Sequence, residues 1–372
     1  MPDDDTVPQP RNLVICLDGT TNEPETGFTN VARMFDVCVK DDQQLVYYDP
    51  GVGTMGSRAA VTQLGRSATR VAGMVAGHGI RDNIEEAYGW LCTRYRPGDQ
   101  IYVFGFSRGA YTARALTGMI RTVGLLHADA LNLIPYALKL YVQSGPDTDL
   151  AGEPDPNTTT QEKEFWKLRN DFRKKFGNPH FPGPFQKTPQ ISFLGVWDTV
   201  KSVGWLNGRA RWEVARWPFT ANIDRVQTAR HALAIDERRR PFAEYRFGGK
   251  GLENRDVQEV WFAGVHGDIG GECRDDNRLP DIALDWMIRE AHTAGIRIDH
   301  NAYRRSLGIK FGAPLPDDGA LGVITPNAMQ WRLARGWRPR VLRPDDVLHP
   351  SVLYRVEATR NTSTPYQSPF DL

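Results

Sequence analysis

A serine with glycine two residues to either side stands at Gly105-Phe106-Ser107-Arg108-Gly109. A serine hydroxyl is a weak nucleophile at neutral pH until a base takes its proton and a carboxylate steadies that base. The chain offers both groups at the ends of apolar runs. Asp198 follows the run 191–197, and His266 follows the run 257–265. Serine, aspartate and histidine in that order suit acyl transfer through a covalent serine ester. Of the eight histidines, His349 is the second candidate base, and Asp268 is the rival acid. Charge developing on a carbonyl oxygen also needs N–H donors. Arg108 follows the serine directly, and the turn Asp18-Gly19-Thr20 offers Gly19 or Thr20 as the other donor. Asp18 would brace that turn by accepting its backbone N–H groups. Read instead as a phosphoaspartyl motif, the turn lacks the second acid that such chemistry wants two residues on. Asp49 completes the set of acids just beyond an apolar run.

Those side chains need a scaffold that brings them to one place. Residues 13–17, 45–48 and 101–104 are short apolar runs of strand length, and helical spacing of apolar residues follows each of them. Asn30 reads as a helix cap, Ile80 to Leu91 as one helical face, and residues 110–120 as the helix after the serine. Strands alternating with helices predict a mostly parallel α/β sheet covered on both faces, with Asp18, Asp49 and Ser107 on one rim. Residues 55–77 read as a loosely helical excursion.

Insertions are expected at about 127–190 and 201–230. The first holds a helix at 131–142, a polar loop at 144–160 and a charged helix at 161–175. Its aromatics, Phe165, Trp166, Phe172, Phe176, Phe181 and Phe185, either line an acyl-chain pocket or pack a core. Residues 231–240 read as a short helix ending in a basic cluster, which is a salt-bridged surface or a contact for anionic head groups. A helix at 280–294 follows, and from about 299 the chain reads as an irregular wrap. The expected organisation is a disordered lead-in at 1–11, one domain at 12–355 and an irregular tail at 356–372.

With 46 basic and 45 acidic residues in 372, the chain carries no electrostatic footprint for nucleic acid. Its start lacks the basic and apolar regions of a signal peptide, and no apolar run has membrane-spanning length. Four cysteines without a C-x-x-C pair predict reduced thiols and a cytoplasmic protein, with signal-less export compatible.

Several blocks occur together and in order: Leu17 to Asn22, Tyr47 to Thr54, Gly105 to Arg114, Val196 to Val200, His231 to Arg239, Gly264 to Gly271, and His349 to Val352. In these the chain resembles the bacterial and fungal α/β-hydrolases long labelled a domain of unknown function, which include class-one phospholipase effectors of type VI secretion. The resemblance implies an α/β-hydrolase-like fold with helical and loop insertions and a Ser107, Asp198, His266 triad. It also implies hydrolysis of carboxylic esters in lipid substrates without a cofactor; separately, no metal site is expected, and transient contact at a membrane surface is compatible with the chain. Two other readings stay open: a thioesterase or peptidase with the same triad, and a non-catalytic interaction module on a hydrolase scaffold.

Overall fold

The apolar runs become a seven-stranded sheet in the computed structural model, which describes residues 9–19, 28–51, 68–143, 160–183, 186, 188–201, 217–248, 255–271, 276–326 and 338–367. The strands are β1 (Asn12–Leu17), β2 (Gln44–Asp49), β3 (Gln100–Phe106), β4 (Ile191–Trp197), β5 (Val226–Ala234), β6 (Asp256–Phe262) and β7 (Val347–Leu348). They lie in the order β2-β1-β3-β4-β5-β6-β7, and every neighbouring pair is parallel. Successive strand residues face opposite sides. Leu13, Ile15 and Leu17 of β1 join one core with Ile101 and Val103 of β3. Val14 and Cys16 join the other with Tyr102, Phe104 and Phe106. Because both faces are covered, the strands read as continuous apolar runs rather than as alternating ones.

One face is covered by α1 (Asn30–Val37), α7 (Arg278–Thr293) and α8 (His300–Leu307). The other is covered by α2 (Ala68–Arg94), α3 (Ser107–Val123), α4 (Ile134–Val142) and α5 (Thr160–Phe176). The short α6 (His266–Gly270) follows β6, and α9 (Pro350–Thr359) follows β7. The chain steps one way from β1 to β2 and back across β1 to β3. The carboxyl ends of β1 and β3 therefore flank the point where strand order reverses, which is where parallel sheets open a crevice for ligands.

Helix α3 is buried from Gly109 to Val123, between the sheet, α2 and the insertion helices α4 and α5. Arg121 on α3 donates to both oxygens of Asp224, at 2.5 and 2.8 Å, with its guanidinium over Trp166 and Phe219. Trp166, Phe172 and Phe181 are buried in this core, and Phe165 and Phe176 pack against it. Of the two roles expected for these aromatics, packing is the one seen. Phe185 and the polar loop at 144–159 lie outside the described residues.

Several local expectations are corrected. Thr29, not Asn30, caps α1 by accepting the Ala32 N–H. Asn30 is the first helical residue, buried, and its amide donates to the carbonyls of Ile269 and Pro280. No helix spans 231–240: residues 231–234 are the end of strand β5, which begins at Val226, inside the range assigned to the second insertion, and the chain leaves the strand after Ala234. Its polar residues are matched from outside the strand. Arg230 pairs with Glu290 at 2.6 Å and Asp256 at 2.8 Å, and His231 bonds Glu259 at 2.8 Å. The chain after 299 is not an irregular wrap, since α8, β7 and α9 lie there, and α9 runs past residue 355 into the expected tail. Asp299 starts α8 by accepting the N–H groups of Asn301 and Ala302. Helix α2 begins at Ala68, within the stretch read as loosely helical, whose residues 55–67 lie outside the described ones. The lead-in is undescribed through residue 8. Among the described residues no helix is long and apolar enough to cross a membrane.

Candidate active site

Ser107 sits at the tip of β3 as the first residue of α3, with φ at +58°. Residues with a Cβ avoid that region, so the position is held by its surroundings. Two close approaches explain the flanking glycines. A Cβ at Gly105 would lie 2.6 Å from the Gly109 carbonyl oxygen, and one at Gly109 would lie 2.2 Å from the Leu17 carbonyl oxygen. The sharp turn thus presses α3 against the end of β1. It also leaves the first N–H groups of α3, Arg108 included, at the positive end of a helix of 17 residues.

Sheet register brings the acid to the serine. Phe106 pairs with Trp197 across β3 and β4, so Ser107 and Asp198 are the next residues on adjacent strands. Asp198, at φ +35°, is fully buried. The strand-to-helix turn after β6 delivers His266, whose ring lies between Phe106 and Phe242 at centroid distances of 4.7 and 4.9 Å. His266 Nε2 stands 2.8 Å from Ser107 Oγ, and Nδ1 stands 2.6 Å from Asp198 Oδ2. An ionised carboxylate only accepts, so Nδ1 carries a proton, and in the neutral ring Nε2 then has a lone pair facing the serine hydroxyl. The His266 backbone N–H donates to Glu237 at 3.2 Å.

Sequence reasoning missed Arg340. Its guanidinium donates to both oxygens of Asp198, and its side chain is 1% exposed. Burial by itself would raise the Asp198 pKa. The Arg340 charge and the His266 hydrogen bond outweigh it and hold the carboxyl well below the usual carboxylate range. His231 was missed too, although its block was noted. The Thr199 N–H donates to its Nε2 at 3.3 Å, while Nδ1 bonds Glu259 at 2.8 Å, fixing the turn just after Asp198. Burial pushes the His231 pKa down and favours that neutral form.

The supporting candidates separate. Asp18 braces its turn: it accepts the Gly19 N–H at 2.7 Å and the hydroxyls of Thr29 at 2.5 Å and Tyr48 at 2.8 Å. The Gly19 N–H expected to face an oxyanion is therefore engaged with Asp18, and Thr20 lies outside the described residues. Asp49 accepts from Gly51 N at 2.7 Å and from Asn83 at 3.0 Å, and burial pushes its pKa up. Asp268 is not the acid on His266. It accepts from the backbone of Val265 and from the N–H and hydroxyl of Thr325. His349 caps α9, bonds Ser351 and stacks on Phe262, so the structure does not bring it to the serine. Among the described residues no group of three His, Cys, Asp or Glu could hold a metal ion.

Strand order, elbow turn and the chain order of the three aligned side chains are those of an α/β-hydrolase-like protein. A more particular assignment comes from comparison with known families. The family model described as "T6SS, Phospholipase effector Tle1-like, catalytic domain" matches residues 11–290, and the chain belongs to this family. An uncharacterised protein of Saccharomyces cerevisiae is 31% identical over 244 residues, 64% of this chain and 33% of the relative. The chain thus spans about a third of that relative's length. Among solved structures, the Tle1 effector bound to the VgrG spike from the type 6 secretion system is similar with a TM-score of 0.39 and 18% identity, over 71% of this chain and 51% of that one. An uncharacterised protein from Pseudomonas aeruginosa is similar with a TM-score of 0.41 and 15% identity, over 96% of this chain and 52% of that one.

Proposed function

We propose that this protein is a serine hydrolase that cleaves carboxylic esters of lipids, phospholipid acyl esters foremost, through an acyl-enzyme. The observation that carries the reading is the hydrogen-bonded line from Ser107 Oγ through the His266 ring to Asp198, at 2.8 and 2.6 Å. As Oγ attacks the ester carbonyl carbon, His266 Nε2 takes the hydroxyl proton, and Asp198 stabilises the imidazolium that forms. The Arg108 N–H, at the positive end of α3, receives the charge on the carbonyl oxygen. Collapse of the tetrahedral species breaks the bond to the alkoxy oxygen, and His266 gives its proton to the departing alcohol. Water then repeats the sequence on the acyl-enzyme, losing a proton to His266 and releasing the carboxylic acid. Membership of a phospholipase effector family supports lipid as the substrate class.

The test is hydrolysis of short and long acyl esters and of phospholipid vesicles by the purified protein, beside Ser107→Ala. Labelling of Ser107 by a fluorophosphonate is read on the same samples. Hydrolysis and labelling present in the parent and absent in the variant are the expected result. Equal turnover by both proteins, or a parent that neither turns over nor labels, overturns the proposal. Turnover of thioesters or peptides in preference to oxygen esters would move the substrate class and keep the mechanism.

A further inference from the structure

We propose that Arg340 is a positioning residue of this site, holding the Asp198 carboxylate charged and oriented so that it can set the His266 ring. The inference rests on the serine-hydrolase reading above. It also carries the working site beyond the stretch that the family model matches, which ends at residue 290.

A carboxylate removed from water stays ionised only if its charge is balanced and its lone pairs are filled. Asp198 is fully buried and accepts from three groups. The Ala234 N–H reaches Oδ1 at 3.1 Å, and His266 Nδ1 reaches Oδ2 at 2.6 Å. Neither brings a charge while the imidazole is neutral. Arg340 brings it, with one nitrogen on Oδ1 and the other on Oδ2 at 2.9 Å. Such a fork fixes the plane of the carboxylate as well as its charge, which an ammonium could not do.

The fork is itself anchored. The nitrogen on Oδ1 also donates to the Ala234 carbonyl at 2.9 Å, and the other donates to the Phe242 carbonyl at 2.6 Å. Phe242 is one of the two rings that flank His266. Arg340 therefore joins the strand end of β5, the acid and the wall of the imidazole site in one network. Glu237, the neighbouring acid, is occupied by Arg239 at 2.7 Å and by the His266 backbone. Its charge, like that of Glu244, acts on Arg340 from a distance, but the described hydrogen bonds of the guanidinium to carboxylate oxygens go to Asp198. His231 lies behind the turn, bonded to Glu259. Charge balance at Asp198 thus falls to Arg340.

The experiment uses the full chain with Arg340→Met, Arg340→Lys, Asp198→Asn and the double variant Asp198→Asn/Arg340→Met. Fluorophosphonate titration counts intact sites, so that turnover is expressed per folded site. Arg340→Met should lower kcat between about 10-fold and 10⁴-fold, the span from an outer-shell loss to loss of the acid's orienting role. KM should stay within about threefold, because the residue does not meet substrate. Arg340→Lys should recover part of the loss. In the Asp198→Asn background, Arg340→Met should cost no more than about threefold further, since effects through one group do not add. Full activity per site in Arg340→Met, or an additive loss in the double variant, overturns the proposal. If Arg340→Met does not fold, Arg340→Lys and an NMR spectrum of the histidine ring nitrogens decide it. The parent should hold the proton of His266 on Nδ1, and the lysine variant should show both tautomers. An unchanged spectrum with unchanged kcat refutes the role. The spectrum needs no turnover, so a parent without hydrolysis would end the hydrolase reading and leave the Arg340 result separately readable.

Discussion

Replacing Ser107 by glycine and by alanine separates the strain in the elbow from the chemistry it serves. Both variants remove the hydroxyl and its bond to His266, so that loss cancels between them. What remains is the Cβ at φ +58°. A left-handed conformation costs a residue with a Cβ about 1–2 kcal/mol, and glycine gives back about 0.5–1 kcal/mol through its looser unfolded chain. Ser107→Gly should therefore be more stable than Ser107→Ala by about 0.5–1 kcal/mol. In a chain of 372 residues that is about 1 °C in melting temperature, too narrow an interval to rank two variants. Urea unfolding is the better assay, with a midpoint about 0.2–0.3 M higher for glycine if the slope is near 3 kcal/mol/M. Neither variant should label with a fluorophosphonate. An alanine variant as stable as the glycine variant would refute the claim that the serine is held under backbone strain.

Two further outcomes follow from buried charges elsewhere in the fold. Arg121→Met removes both hydrogen bonds from Arg121 to the buried Asp224, leaving it the Arg225 guanidinium at 3.9 Å, and should destabilise by about 3–5 kcal/mol, whereas Arg121→Met with Asp224→Leu should recover most of that in urea unfolding. Recovery of nothing would mean that the aromatic contacts, not the charge pair, hold Arg121. Burial pushes the His349 pKa from 6.5 down to about 4, so the unfolded chain takes up this proton before the folded one does. This contribution is intact above pH 6.5 and is lost as the pH falls toward about 4. His349→Asn keeps a capping oxygen on α9 and should flatten the change in urea midpoint over that window. An unaltered slope would exclude His349 as its source.

Where a signal was local, the sequence carried it. The run from Leu13 to Leu17 is a strand because every residue of it is buried, and no helix has to be imagined to see why. The elbow was legible because its steric demand falls on two glycines within five residues of one another. The failures have a common cause. In β5, Arg230 was placed in an insertion and His231 at the start of a helix, because polar residues inside a buried strand make sense only once Glu290, Asp256 and Glu259 arrive from other elements to match them. The caps at Thr29, Asp299 and His349 are local features that were present in the sequence. One was assigned a residue too late, and the other two were submerged in a stretch without strong apolar periodicity.

By itself the sequence determined five strands of the central sheet, β1, β2, β3, β4 and β6, the turn that exposes Ser107, and the side chains competent to act with it. Only the tertiary structure decided which of them meet. His266 and His349 both follow strands, and Asp198 and Asp268 both lie shortly after a strand end, so neither choice could rest on local chemistry. Register between β3 and β4 sets Asp198 beside Ser107, the turn after β6 aims one histidine at the pair, and Thr325 occupies Asp268. Arg340 could not be read from its neighbours in the chain. Its partner lies 142 residues away, and a buried charge declares itself only when the fold has closed around it.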